Sequence, residues 1–328
     1  LEWRELSKVG PGLQNLGNTC FLNATLQCLL YCPPLVQHLL NHKYGAPAAA
    51  QQAHHGRAQL NLVSNTAAVA RSSAYSAISP KTIVANIRTI GKQFRPGRQE
   101  DAHEFLRKLV DSMAEAILRR HGVKANAPHR LDETTAINRV FGGYLRNQVQ
   151  CTKCRYCSNT YELYMDLSLD MVGNISSLED ALKRFQAVET LDSSNRWRCG
   201  GCKQKVCARK QLTIHTAPNA LVLHLKRFAY GRQSTKIRRH VAYPEHLDLK
   251  VSGPEKRVGY DLCGVVVHEG GTMQFGHYFA YIRASNKLWY RMDDAHVKST
   301  RKSRALEQQA YMLFYTRTPD PAAAAATA

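Results

Sequence analysis

Near residue 140 the hydrophobic period of this chain changes from that of a helix to that of a strand. Upstream, "QEDAHEFLRKLVDSMAEAILRRHG" sets Phe105, Leu106, Leu109, Val110, Met113, Ile117 and Leu118 in one apolar stripe that Gly122 ends. Leu22, Leu26, Leu29 and Leu30 repeat that spacing within residues 20–31, where Pro33-Pro34 stops the helix. Downstream, "YELYMDLSLDM", "YDLCGVVVHEGG", "GHYFAYIR", "LWYRMDD" and "AYMLFYTR" alternate or run apolar, as strands in a sheet do. Helices first and antiparallel strands later predict an α+β fold. Residues 45–76 are rich in Ala, Gln and Ser with weak periodicity and read as a loop or insertion, while the tail "PDPAAAAATA" reads as unstructured.

At 328 residues and 44% hydrophobic composition the chain can bury a substantial core. No run approaches the 18 or so consecutive apolar residues of a membrane-spanning helix, so no membrane contact is expected. "LEWRELSKVGPG" lacks an initiator Met and the apolar stretch of a signal peptide, and reads as the start of a fragment. The ten cysteines sit in helical or strand-like surroundings or in two C-x-x-C pairs. That usage suits a reducing, intracellular compartment, with thiols kept for metal or chemistry.

The first pair, Cys151 and Cys154, precedes the second, Cys199 and Cys202, by an intervening stretch of 44 residues. Four thiolates on two knuckles match a closed, tetrahedral, structural zinc site. Gly200 and Gly201 allow the second knuckle to turn tightly. A redox C-x-x-C is the rival reading; two pairs, each entering a strand-like run, fit a zinc ribbon better. Cys157 and Cys207, just beyond each pair, read as spare thiols. The charge is lopsided, at +20 overall, with 17 basic and 5 acidic residues between Lys183 and Arg257. Such a surface attracts acidic partners or nucleic acid, although no aromatic-studded RNA-binding signature accompanies it.

"GNTCFLNATLQCLLY" places Cys20 where a loop turns into a helix. A thiol there is either a small buried hydrophobe or a nucleophile whose thiolate the helix dipole favours. A nucleophilic thiol needs an imidazole and an acceptor to orient it. His277 opens the strand "GHYFAYIR" behind a glycine, and "LWYRMDD" ends in Asp293 and Asp294. Two hairpin-paired strands of that length bring Asp293 beside His277.

"GLQNLGNTCFLNATLQCL" resembles the Cys box, and "GHYFAYIRASNKLWYRMDDAHV" the His box, of the ubiquitin-specific proteases, the papain-like cysteine deubiquitinases. "GRQEDAHEFL", "ALVLHLKRF" and "QQAYMLFYTR" are similar to three further segments of that family, so the likeness runs from about Gly12 to Arg317. It implies one catalytic domain over residues 12–318, flanked by tails at 1–11 and 319–328. A helical thumb would occupy about 12–135, zinc-ribbon fingers about 136–225 and an antiparallel β palm about 226–318.

By the same resemblance, Cys20 attacks the carbonyl of ubiquitin's C-terminal glycine, His277 takes its proton and Asp293 orients the imidazole. Asp294 is the neighbour that can share this role, and Asn15 is the oxyanion donor. Gln99, Asp101 and Glu104 would meet the basic tail of ubiquitin. The implied partners are ubiquitin and ubiquitinated proteins, the implied cofactor is structural Zn2+ with no organic cofactor, and a monomer is expected. The branch it suggests is nucleolar or chromatin-directed, with a nuclear or nucleolar location and a cytoplasmic one as the alternative. That branch often carries another cysteine pair near residues 45–62, where this chain has "GAPAAAQQAHHGRAQLNL". A catalytically silent ubiquitin-binding module and a zinc-ribbon nucleic-acid binder are the competing functions. The second leaves the Cys and His boxes unexplained.

Overall fold

Helix α1 (Cys20–Leu30) carries apolar residues on nearly every face, and ten of its eleven residues are buried. A helix apolar all round belongs inside a core rather than on its surface. In the computed structural model, which describes residues 3, 9–41, 76–123, 129–228, 236–272 and 275–319, α1 lies between helices and a large sheet. The Ala-rich stretch expected as a loop at 45–76 falls, up to residue 75, outside the described residues, as do most of the two flanking tails.

Pro33 and Pro34 do more than end α1: they open α2 (Pro33–Asn41), since the first turn of a helix has no use for their missing N–H groups. Two short helices follow, α3 (Lys81–Ala85) and α4 (Ile87–Ile90). Next comes the long α5 (Ala102–Arg120), whose N-cap Asp101 accepts from the Glu104 backbone N–H at 2.8 Å. Phe105, Leu106, Leu109, Val110 and Met113 of α5 are buried, as the stripe requires. Phe105 meets Phe21 edge-on at 5.4 Å and Phe94 at 5.9 Å between ring centroids. Helix α6 (Ala136–Phe141) closes this helical half through Ile137, Val140 and Phe141.

The large sheet has the order β13 (His296–Thr300), β12 (Trp289–Asp293), β11 (His277–Arg283), β10 (Arg257–Glu269), β14 (Ala310–Arg317), β8 (Ala220–Lys226) and β3 (Leu167–Asp170). Strand β9 (His246–Lys250) also pairs with β10. Every pairing is antiparallel except β3 with β8. Both faces of the sheet are covered, which is why its strands read as continuous apolar runs. Val266, Tyr278, Ala280 and Ile282 point to the helical side. Val265, Val267, Phe279 and Tyr281 point to a second core, roofed in part by α7 (Leu178–Phe185). Gly264 lets β10 approach α1 closely: a Cβ there would stand 2.9 Å from the Cys28 sulfur.

A separate four-stranded sheet runs β2 (Cys157–Tyr164), β1 (Gly143–Cys151), β7 (Ala208–Thr216) and β4 (Val188–Leu191). At its end sits the two-stranded β5 (Trp197–Arg198) and β6 (Lys205–Val206). Within 136–225, α6 packs among the helices, while β3 and β8 join the large sheet and α7 packs on its second core. Burial decides this, because Leu167, Leu169, Leu221, Leu223 and Leu225 enter that second core. Replacing Phe105 by Ala should cost about 3–5 kcal/mol of unfolding free energy, since the cavity would open beside the two remaining rings, Phe21 and Phe94. Urea denaturation of the variant beside the parent chain measures it.

Candidate active site

The loop before α1 is built by its own side chains. Asn15 Oδ1 accepts from the N–H groups of Gly17 at 3.0 Å and Thr19 at 3.2 Å, and the Thr19 hydroxyl accepts from the Leu16 N–H at 3.0 Å. Gly17 and Asn18 take positive φ, +97° and +53°, so the chain doubles back and enters α1 at Cys20. The thiol thus sits in the first helical turn and is 2% exposed.

β11 and β12 pair so that His277, at the start of one, meets Asp293, at the end of the other. His277 Nε2 and Asp293 Oδ1 are 2.6 Å apart. The imidazole is pushed from 6.5 up to about 9, first by a hydrogen bond with the Cys20 thiol and then by Asp293, against the lowering effect of partial burial. Arg291, whose guanidinium lies 4.3 Å from the Phe279 ring centre, grips the second oxygen of Asp293 at 2.8 Å. The Cys20 thiol at the start of α1, the His277 imidazole and the Asp293 carboxylate thus act on one another at one place, with the last two hydrogen-bonded.

Asp294 has another place. It stands at φ +48°, and its two oxygens accept from Asn15 Nδ2 at 2.9 Å and Asn23 Nδ2 at 2.8 Å. Its backbone carbonyl accepts from the Leu13 N–H at 2.8 Å. Gly12 allows that approach, since a Cβ there would lie 2.3 Å from the Ala295 carbonyl oxygen. Asp294 therefore ties the loop before the thiol to the strand end that carries Asp293, and it makes no hydrogen bond to His277 among the described contacts.

Gln99 clamps the other side of His277. Its Nε2 donates to the Gly276 carbonyl at 2.5 Å and its Oε1 accepts from the Gly276 N–H at 3.0 Å. Asp101 is engaged inside the protein: one oxygen caps α5 and the other accepts from the Tyr311 hydroxyl. Glu104 is exposed and accepts from Gln93 Nε2 at 2.9 Å. Beside α5 a cleft of about 560 Å³ is lined by Leu106, Arg107 and Asp111 on one side and Leu163, Tyr164 and Asp166 on the other. The residues missed from sequence are Asn23, Arg291 and Tyr311. A buried Asn three residues into an apolar helix was the one available signal; the other two act across contacts with no local pattern.

The four knuckle sulfurs, of Cys151, Cys154, Cys199 and Cys202, all lie within 4.8 Å of one another. Two of the separations are 4.0 Å (Cys151–Cys202) and 3.5 Å (Cys154–Cys199). A tetrahedral zinc with bonds of about 2.3 Å spaces its sulfurs about 3.8 Å apart, so the four can hold a structural zinc. Backbone N–H groups already point at them: Cys154 and Lys153 donate to Cys151 and Gly201 donates to Cys199, each at 3.3 Å. Those of Cys154 and then Lys153 bring the Cys151 thiol down to about 6, against the opposing effect of burial, favouring the ligand form. Cys157 and Cys207 are not members of this cluster.

Replacing Asp294 by Ala should cost about 1–3 kcal/mol, because Asn23, only 2% exposed, would lose its carboxylate acceptor. Thermal and urea unfolding report the loss, and an unchanged stability would contradict the tie described here.

Comparison with known proteins comes down on the same chemistry. Residues 11–315 match the family described as ubiquitin carboxyl-terminal hydrolase. The chain is 42% identical to the probable ubiquitin carboxyl-terminal hydrolase 16 of Schizosaccharomyces pombe, covering 97% of this chain and 69% of that protein. It is 41% identical to ubiquitin carboxyl-terminal hydrolase 42 of Homo sapiens, covering 98% of this chain and 24% of that one, and 43% identical to hydrolase 23 of Arabidopsis thaliana, covering 94% and 36%. It thus spans about two thirds of the first relative and well under half of the other two. Among solved structures it is similar to the SAGA Ubp8/Sgf11/Sus1/Sgf73 DUB module bound to ubiquitin aldehyde, with a TM-score of 0.80 at 26% identity over 94% of this chain and 70% of that one. By sequence over nearly its whole length, and by a fold that brings a thiol, an imidazole and a carboxylate into line, the chain belongs to the ubiquitin carboxyl-terminal hydrolase family.

Proposed function

We propose that this chain is a cysteine-type deubiquitinase that hydrolyses the isopeptide or peptide bond after the C-terminal glycine of ubiquitin. The observation that carries the reading is that the Cys20 thiol acts on the His277 imidazole, which Asp293 holds at 2.6 Å, within a chain that matches the family over residues 11–315. Cys20 sulfur adds to the glycine carbonyl carbon, and His277 passes its proton to the leaving amine, giving a thioester. Water, deprotonated by His277, then releases ubiquitin and restores the thiol. The Cys20 backbone N–H and the Asn15 amide would hold the developing oxyanion. Asn15 is suited to this because Asp294 and the loop N–H groups already fix its orientation.

Glu104, exposed on the first turn of α5, is the better placed carboxylate for the arginines of a basic ubiquitin tail. Asp101 would meet the tail while capping α5, and Gln99 would act by holding Gly276 beside the cleft. We assign the four-cysteine cluster to one structural zinc. Ten cysteines outside any disulfide support an intracellular, reducing setting, and the +20 charge suits a nuclear or nucleolar one.

A ubiquitin probe with a C-terminal electrophile should label the chain at Cys20. Cys20→Ser should lose hydrolysis of a ubiquitin reporter while still binding ubiquitin, because a hydroxyl at neutral pH is a far weaker nucleophile. A chain that binds ubiquitin and never reacts would instead be a silent ubiquitin-binding module.

The raised pKa of His277 sets the alkaline limit. Below its ordinary 6.5 the imidazolium is present whether or not the chain is folded; folding keeps it protonated up to about 9, and both that stabilisation and the proton needed by the leaving amine are lost as pH rises through this value. The alkaline limb of kcat/KM should therefore lie near pH 9 and move toward 6.5 in Asp293→Asn. A pH profile with the same limb in both proteins would detach Asp293 from the imidazole.

A further inference from the structure

The end of the zinc ribbon is strongly cationic. Residues 151–157 and 196–205 contain Lys153, Arg155, Arg196, Arg198, Lys203 and Lys205 and no acidic residue. All six are exposed, and none forms an ion pair among the described residues.

The backbone gathers these charges rather than spreading them. Clustering of the four sulfurs brings the two knuckles together, and Lys153 Nζ reaches across to Gln204 Oε1 at 3.1 Å. Arg155 and Lys203 hold equivalent positions, each one residue beyond the second cysteine of its pair, at φ +62° and +57°. In the β5–β6 ladder Arg198 is the direct cross-strand partner of Lys205. Directly opposed residues stand about 4.5–5.5 Å apart at Cβ, and like charges there weaken a ladder. A zinc bound by four thiolates would carry a formal charge of about −2, which offsets only two of the six. Between the cations Tyr156, 45% exposed, lies nearly parallel to Trp197, with ring planes 12° apart.

We propose that this surface binds the phosphate backbone of a nucleic acid. Three of the six cations are arginines, whose planar forks match phosphate oxygens, and each neutralised phosphate releases counterions. The ligand would relieve the Arg198–Lys205 repulsion, and the part-exposed Tyr156, set among the cations beside Trp197, suits contact with a base. An acidic peptide would match the charge but makes less use of the two aromatic rings among the cations. The surface lies on a different sheet from the Cys20–His277 line, so it would localise the enzyme without entering its chemistry.

The test uses the whole zinc-loaded chain, with fluorescence anisotropy of a labelled DNA duplex and a labelled single-stranded RNA, each about 20 nucleotides long, across about 50–200 mM salt. Arg198→Gln with Lys205→Gln should weaken binding at least about tenfold and reduce the log–log salt slope by about 1.5–2. The same pair should leave hydrolysis of a ubiquitin reporter unchanged and leave thermal stability unchanged or slightly raised, since like charges are removed. Lys81→Gln with Lys92→Gln, exposed cations of the thumb, should change binding little. If the ribbon variant unfolds, Arg155→Gln with Lys203→Gln makes the same measurement. The proposal is overturned if the parent chain fails to bind either nucleic acid at about 50 mM salt. It is equally overturned if the thumb pair weakens binding as much as the ribbon pair, or if polyglutamate binds as tightly with the same dependence on Arg198 and Lys205.

Discussion

The burial of α1 on all sides is the constraint on which this molecule depends. A helix with ten of eleven residues out of water can sit in one place only, between α5 and the inner face of β10 and β11. Its first residue is Cys20, and β11 begins with His277, so the same apolar contacts that stabilise the core set the thiol against the imidazole. Chemistry between two residues 257 positions apart is thereby fixed by packing. Gly264 and the Phe21, Phe94 and Phe105 cluster show how tight that packing is.

Around this apolar seat, a few polar contacts cross from the helices to the palm and hold the register of the site. Asp294 binds Asn15 and Asn23, Gln99 binds both backbone groups of Gly276, and Asp101 binds Tyr311. The first two tie residues next to the thiol or the imidazole to the opposite half, and the third ties the start of α5 to β14. Hydrophobic burial brings the halves together without direction, and these hydrogen bonds supply the direction. Arg291 extends the same logic by holding the oxygen of Asp293 that His277 does not use.

The ribbon works by a different principle. Its own apolar cluster is small, with Cys151, Cys199 and Val206 as the buried members, so thiols that can take a metal do what a core does elsewhere. A segment stabilised in this way can carry exposed charge freely, and its end is strongly basic. The palm, by contrast, answers its cations with acids, as in Glu245 with Lys302 and Asp261 with Arg283.

By itself the sequence determined the α+β order, the helix that starts at Cys20, the long helix after Asp101, the two cysteine knuckles and the hairpin joining His277 to Asp293. Each of these is written in short-range spacing: a period, a cap, a C-x-x-C or a turn between two strands. Tertiary structure alone decided that β3 and β8 join the palm, because a strand's sheet is chosen by which core its leucines enter. It also decided that Asp293 serves the imidazole while its neighbour Asp294 serves Asn15 and Asn23. Adjacent residues at a strand end point to different sides, and the turn at Asp294, with φ +48°, separates them further. Likewise Asp101 and Glu104 look equivalent on a helical face, yet one caps the helix and meets Tyr311 while the other stands exposed. Such differences depend on partners hundreds of residues away, and no local pattern encodes them.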